Sequence, residues 1–453
     1  MTQRRNPKMT LSRQRAEEIF GQVLKYSTAE ETEVMVSSST FALTRFANNT
    51  IHQNVSEETT TLSVRVVTDG RMARASTNKF DEGSIRQICE GALVLARLQP
   101  PDPDLLPMPG PQTYRAVSRF FGETADLNPA TRAATVMSVI KRAEKSRLTA
   151  AGVFSSGASA FGLFNSRGLS AFHEETLAEF SVTMLGREGS GWAKKTSPYW
   201  PELEPQELAE RAAQKALNSR KPQEIAPGKY TVILEPAAVL DLLGFLVLDF
   251  SGLAVHEKRS CLTGRVGKRV FGENISLRDD VFHPSQTGAP FDGEGVPRQR
   301  VTILEHGVVK NLVYARQTAH IMDTQPTGHG FPLPNELGEA PLNIVMDGER
   351  SSLEDMVRST PKGLLLTRFW YIREVDPYQK ILTGMTRDGT FWIEDGQVRH
   401  GIKNLRFNQS VVEMLRQVEM MGQPQRTAGE ESFEMVVPAM KIREFNFSSL
   451  TKY

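Results

Sequence analysis

Cysteine is almost missing from this sequence: Cys89 and Cys261 are the only two in 453 residues. That excludes a disulfide framework and a cysteine-rich metal cluster. Net charge of either sign is missing too. Lys plus Arg number 54 and Asp plus Glu 53, leaving +1, so there is no general attraction to nucleic acid or anionic lipid. Nor is there a clean hydrophobic span. The longest apolar stretch, AAVLDLLGFLVLDFSGLAV (237–255), is interrupted by Asp241 and Asp249 and follows Pro236, and it is expected as a buried helix rather than a membrane crossing. The stretch MTQRRNPKMTLSRQRAEEIF is basic and polar, without the apolar centre of a signal peptide. The expectation is a cytoplasmic protein with neither nucleic acid nor membrane as partner. No unit of 20–50 residues repeats, which argues against a solenoid.

What is present is ordinary globular material, 39% hydrophobic and 24% charged, in a chain long enough for two or three cores. Leu11, Ala16, Ile19, Phe20, Val23 and Leu24 recur at helical spacing. Alternating segments follow, and TLSVRVVTDGRMARAST reads as two strands around the hairpin dipeptide Asp69-Gly70. Asp81 is placed to cap the next helix, up to about Leu98. Six prolines within 100–111 forbid a regular ladder and mark a linker or an extended wall. A helix is expected over 129–147, then a meander turning at Asn165-Ser166-Arg167-Gly168, then a polar helix near 205–219. From GKYTVILEP (228–236) the pattern becomes a strand, the apolar helix and many short strands, with hairpin punctuation at Gly293, Gly307, Asp388-Gly389 and Asp395-Gly396. Because helices and strands come in blocks, the fold class expected is α+β: largely antiparallel sheets with flanking helices, an N-terminal α/β-type region and a strand-rich C-terminal domain. The divisions expected are 1–113, 114–225 and 226–453.

Eight strings in this order, GRMARAST, NSRG, GKYTVILEPAAVLDLL, GRVGKRV, FDGEGVPRQRVTILEHGVVKNLVYARQTAH, PTGHG, DGTFWIEDGQV and VVPAMKIREFNFSS, carry a resemblance. The chain resembles the TldD/PmbA family, also called TldD/TldE, over most of its length. The resemblance implies a system in which one zinc-metalloprotease subunit pairs with a related subunit that lacks the metal ligands. The catalytic type carries His-Glu-x-x-x-His on the helix after the strand matching YTVILEP, and a cysteine ligand near its C-terminus. The family's spacing lands on LGFLVL (243–248), which offers no His, Glu or Cys, and no cysteine follows Cys261. Zinc needs N, S or O donors at about 2.0–2.3 Å, so no zinc and no catalytic residue are expected in this chain, and zinc is expected in a catalytic partner.

The string VHEKRSCLTGRVGKRV (255–270) is the weak counter-candidate, with His256, Glu257 and Cys261. Two histidines four apart share a helical face, but Ser260 stands there. Cys261, five residues on, diverges from His256 by roughly 140° on a regular helix. Asp292 and Glu294 of FDGEGVP are either an acid–base or hard-cation pair or turn carboxylates accepting backbone N–H bonds, the latter preferred. His329, between Gly328 and Gly330, marks either a loop that meets a bound peptide or a plain turn. Phe369, Trp370 and Tyr371 are adjacent in RFWYIREVDPYQ, facing both sides of a strand, which suits either a buried strand or an interface or substrate groove. Cys89 is expected in a helix's apolar stripe.

The function expected is that of a TldE/PmbA-like, non-catalytic subunit of a heteromeric zinc metalloprotease. It would pair with a TldD-like subunit and enclose an unfolded peptide. The alternatives are a self-sufficient metallopeptidase built on His256, Glu257 and Cys261, and a homodimeric peptide-binding module without catalysis. The older family label, modulator of DNA gyrase, gains no support from charge or motif.

Overall fold

The computed structural model describes residues 11–451. Helix α1 (Arg13–Tyr26) starts where the Ser12 side chain accepts the backbone N–H of Arg15, and it buries Ala16, Ile19 and Val23. Leu11 is buried beside it, whereas Leu24 turns outward. Strands β1 (Glu31–Ala47) and β2 (Thr50–Thr68) form a long hairpin, and β3 (Arg71–Thr77) follows the Asp69-Gly70 turn, both of whose residues have positive φ. As expected, Asp81 caps α2 (Glu82–Leu98) by accepting from Ser84, and Cys89 lies on its buried face. The proline-rich segment runs as an extended wall. Its backbone is tied to Gly70, Glu31, Asn165 and Arg316.

The short α3 (Gly122–Ala125) precedes α4 (Pro129–Lys145), which is capped by Asn128. Strands β4 (Thr149–Asn165) and β5 (Ser170–Leu185) turn where the Asn165 side chain accepts from the N–H groups of Arg167 and Leu169. Strand β6 (Ser190–Ser197) and α5 (Pro205–Asn218) complete this part. All six strands form one antiparallel sheet, ordered β3-β2-β1-β4-β5-β6.

The rest of the chain is strand-rich. After β7 (Gly228–Leu234) the apolar run breaks into three pieces: α6 (Pro236–Leu243), a 3-10 stretch over Gly244–Phe250, and α7 (Gly252–His256). This corrects the single buried helix expected there. Gly244 packs against Ser432 and Gly252 against the Tyr314 ring, and Asp249 is drawn to Lys380 at 2.5 Å. Tertiary contacts therefore override the helical run.

Strands β8 (Leu277–Asp279), β9 (Val301–Glu305), β10 (Val308–Val309) and β11 (Ile344–Met346) come next. The long pair β12 (Lys362–Asp376) and β13 (Ile381–Glu394) follows, then β14 (Gln397–Gly401) and β15 (Leu405–Ser410). The last are β16 (Val418–Met421), β17 (Gln425–Thr427), β18 (Met435–Val437) and β19 (Met440–Leu450). One sheet runs β10-β9-β8-β11-β18-β17. In the other, the pairings β12–β7, β7–β19, β19–β15, β15–β13 and β13–β12 close a ring of five strands. Closure fills its interior with rings: Phe369 lies 4.8 Å from Phe407 and 5.6 Å from Phe445, centroid to centroid. The chain is thus α+β with mainly antiparallel sheets, as expected. Asp388-Gly389 is a correction. It sits inside β13 as a bulge, with φ of 56° and 133°, because Thr367 opposite has no paired residue; Asp395-Gly396 makes the hairpin turn to β14.

Candidate functional site

The loops FDGEGVP and PTGHGF come together. Phe291 and Pro297 bridge the ends of the first, and Asp292 sits inside its turn. One carboxylate oxygen of Asp292 accepts the N–H groups of Glu294 and Val296, both at 2.9 Å, and the other accepts that of Gly330 at 2.8 Å. The N–H of Gly293 donates back to the Gly330 carbonyl at 2.9 Å. Gly330 lets the two loops close up, since a Cβ there would stand 2.6 Å from a Glu294 carboxylate oxygen and displace it. Glu294 accepts the N–H of Arg316 at 3.1 Å, with the guanidinium 3.7 Å from its other oxygen. Burial raises the pKa of Asp292 despite its three N–H donors. Burial and then the Asp292 charge push Glu294 up to about 7.

His329 is fully buried, with Nδ1 2.9 Å from the Thr327 hydroxyl and Nε2 3.0 Å from Asp279, although the latter approach lacks hydrogen-bond alignment. Burial opposes ionisation of Asp279. His329, Arg298 and the Asn343 N–H outweigh it and hold the pKa low. Sequence reasoning missed Asp279, and it missed the fully buried Glu339. Glu339 accepts from the Ser251 and Thr318 hydroxyls, both at 2.7 Å, and from the N–H groups of Leu253 at 2.8 Å and Ala315 at 3.1 Å. Its only signal is a lone carboxylate in the small and apolar string LGEAPL. Most of these carboxylate oxygens are spent on N–H and O–H donors, which suits fixing loops better than moving protons. The cluster also meets the first sheet. Tyr114 donates to the Gly295 carbonyl at 2.8 Å, and Arg74, itself paired with buried Glu33, donates to that of Leu333 at 2.6 Å.

His256, Glu257 and Cys261 are not brought together. His256 and Glu257 are exposed at the end of α7, with Glu257 paired to Arg259, whereas Cys261 is in the C-terminal core. Burial, then the Asp249 charge, pushes its thiol up to about 12. The expected ligand position, Leu243–Leu248, is apolar, and among the described residues no three His, Cys, Asp or Glu side chains are grouped to hold a metal.

The aromatic triplet divides. Phe369 is core, Trp370 is half-buried between Arg368 (5.3 Å) and Arg387 (4.9 Å), and Tyr371 is 53% exposed under Arg373. Tyr371 has φ +56° at a bulge in β12. Its N–H and that of Ile372 both donate to Glu431, at 2.9 and 3.3 Å. Behind them Arg368 is paired with Asp388, which also accepts from Ser190 at 2.6 Å. That aspartate lines a cleft of about 640 Å³ between β6 and β13.

Residues 32–96, 123–220 and 227–449 match, in that order, the family descriptions "PmbA/TldA metallopeptidase domain 1", "central domain" and "C-terminal domain". Metalloprotease PmbA of Escherichia coli O157:H7 is 22% identical over 410 residues, 84% of this chain and 85% of its own. An uncharacterized protein of Methanocaldococcus jannaschii is 25% identical over 299 residues, 65% of this chain and 69% of its own. Among solved structures, TldE from Thermococcus kodakarensis superposes with a TM-score of 0.87 at 23% identity, over 95% of this chain and 99% of its own. At that identity the likeness is one of fold.

Proposed function

The chain belongs to the PmbA/TldD metallopeptidase family, and from that membership we propose that it is a TldE-like, non-catalytic subunit of a cytosolic zinc metalloprotease that acts on unfolded peptides. The observation that carries the reading is the apolar Leu243–Leu248 segment, where the resemblance implies metal ligands. The separation of exposed His256 and Glu257 from Cys261, which is buried in the C-terminal core, supports it, since the three side chains are not brought together as an alternative set. Catalysis then rests with a TldD-like partner that holds the zinc, and this chain contributes walls and backbone edges that peptides can join. Among the described residues no helix is long and apolar enough to cross a membrane.

The test has two arms. Purified alone, the protein is expected to hold well under one zinc per chain and to show no chelator-sensitive peptidase activity. Co-expressed with a TldD-like subunit, it is expected to co-purify in a peptidase-competent complex. Stoichiometric zinc abolished by His256→Ala would replace this reading with the self-sufficient enzyme. Indifference to every TldD-like partner would leave the homodimeric peptide-binding module as the better account.

A further inference from the structure

Strand β12 loses its neighbour early. Strand β7 pairs with it only at Leu364, Leu365 and Leu366, yet β12 continues to Asp376. Beyond that point its N–H groups are met by carboxylates where a strand would offer carbonyls. Phe369 donates to Asp241 at 3.2 Å, and Tyr371 and Ile372 donate together to Glu431. The left-handed φ of Tyr371 turns two successive N–H groups to one side, which makes a concave anion-binding nest.

Glu431 belongs to the segment 428–434 that links β17 to β18. Gly429 of this strap lies on Asp241 and Leu240, and its carbonyl accepts Lys194 at 3.1 Å; Ser432 lies on Gly244. Glu431 is only half-buried. Hydrogen-bonding capacity is left over beside it. Arg368 Nη1 has no partner although its side chain is 7% exposed, and Asp241 Oδ1, fully buried, has no well-aligned partner, with the Glu431 backbone N–H of the strap the donor beside it. Around the nest, Arg373 lies over the Tyr371 ring and Arg368 and Arg387 over the Trp370 ring, Arg368 pairs with Asp388 and lies near Asp241, and Lys194 pairs with exposed Glu430 of the strap.

A carboxylate on two consecutive N–H groups is the arrangement by which backbone nests capture a peptide's carboxyl end. We propose that the Tyr371–Ile372 nest is a binding site for a peptide carboxylate, held shut in this structure by Glu431 acting as an internal surrogate. The ligand enters when the strap 428–434 lifts. Arg368 Nη1 and Asp241 Oδ1 then supply a spare donor and a spare acceptor to the last residues of the peptide, and Tyr371 and Trp370 flank them. This rests on the peptide-binding reading above and narrows its substrate class to peptides that present a carboxylate.

The experiment uses the full chain without a partner, with binding read by calorimetry. The probes are an N-acetylated tripeptide with a free C-terminal carboxylate, its C-terminal amide, and an amide whose last residue is Glu. Glu431→Ala is expected to bind the free acid at least tenfold more tightly than the unmodified protein does, with no gain for the plain amide. Glu431→Gln, which keeps the strap's shape, is expected to show a smaller gain in the same direction and serves if Glu431→Ala fails to fold. A gain for the free acid alone assigns the main-chain terminus. A gain for the Glu-bearing amide as well assigns any peptide carboxylate. Equal binding of acid and plain amide, absence of a gain in both variants, or the same gain in Glu430→Ala overturns the nest. Since no partner is present, its failure leaves the co-purification arm untouched, and failure of co-purification leaves this measurement standing.

Discussion

Glu294→Gln is the sharpest probe of the buried loop cluster, because it removes a proton equilibrium while leaving the hydrogen bond. Glu294 is 3% exposed, and burial and Asp292 raise its pKa from an ordinary 4.5 to about 7. The folded state therefore holds the proton more tightly than the unfolded chain does. Its stabilising contribution is fully present below about pH 4.5 and is lost as pH rises through 7. That displacement corresponds to about 3 kcal/mol. In Glu294→Gln the amide oxygen still accepts from the Arg316 N–H, but nothing ionises. Asp241, also pushed up to about 7, titrates in both proteins and cancels in the difference. Urea unfolding at pH 4.5, 6 and 7.5 is the assay, read as midpoint and slope. The variant is expected to gain on the unmodified protein by about 3 kcal/mol across that range. Parallel stability curves for the two proteins would refute the argument.

Asp292→Asn, in contrast, is expected to destabilise at every pH by about 1–3 kcal/mol, because its amide nitrogen must face at least one buried N–H; denaturant midpoints check this. Phe369→Ala is expected to cost about 3–5 kcal/mol as a core deletion, whereas exposed Tyr371→Ala costs under about 1 kcal/mol, and a comparison of thermal melts separates them. His256→Ala is expected to stay within about 0.5 kcal/mol of the unmodified protein. A reconstituted heteromer carrying His256→Ala or Cys261→Ala is expected to keep peptidase activity within a few-fold; a drop of about 10–100-fold without unfolding would instead mark a metal-site residue.

Local chemistry made much of the fold legible. The Asp81 cap, the Asp69-Gly70 hairpin and the Asn165 turn depend on side chains bonding their own neighbourhood, so the sequence displays them. The break in the apolar run depends on Ser432, Tyr314 and Lys380, which are distant in sequence, and no periodicity shows that. Asp388-Gly389 has the composition of a hairpin turn and the position of a bulge, since the register of β12 against β13 decides between them. At the candidate site, FDGEGVP and PTGHGF were legible as separate glycine-punctuated loops. Their junction, and the roles of Asp279 and Glu339, exist only once the sheets are in place. The nest was the least legible part, because it is made of backbone N–H groups and a carboxylate about sixty residues away.

The sheet built from β1 to β6 has a consequence for how the polypeptide is made. Strand β1 pairs with β4 from Glu33 opposite Asn165 to Phe46 opposite Gly152, so its second neighbour is synthesised more than one hundred residues later. At translation speeds of about 5–20 residues per second, a finished β1–β2 hairpin waits roughly 5–20 s with one long flank open. An open flank of that length recruits any strand nearby. The nascent chain is therefore most exposed to misassembly before β4 emerges, and truncation within the proline-rich wall would make that condition permanent. Limited yield of any fragment ending there, with recovery when β4 is supplied in trans, would be the cellular trace of this topology.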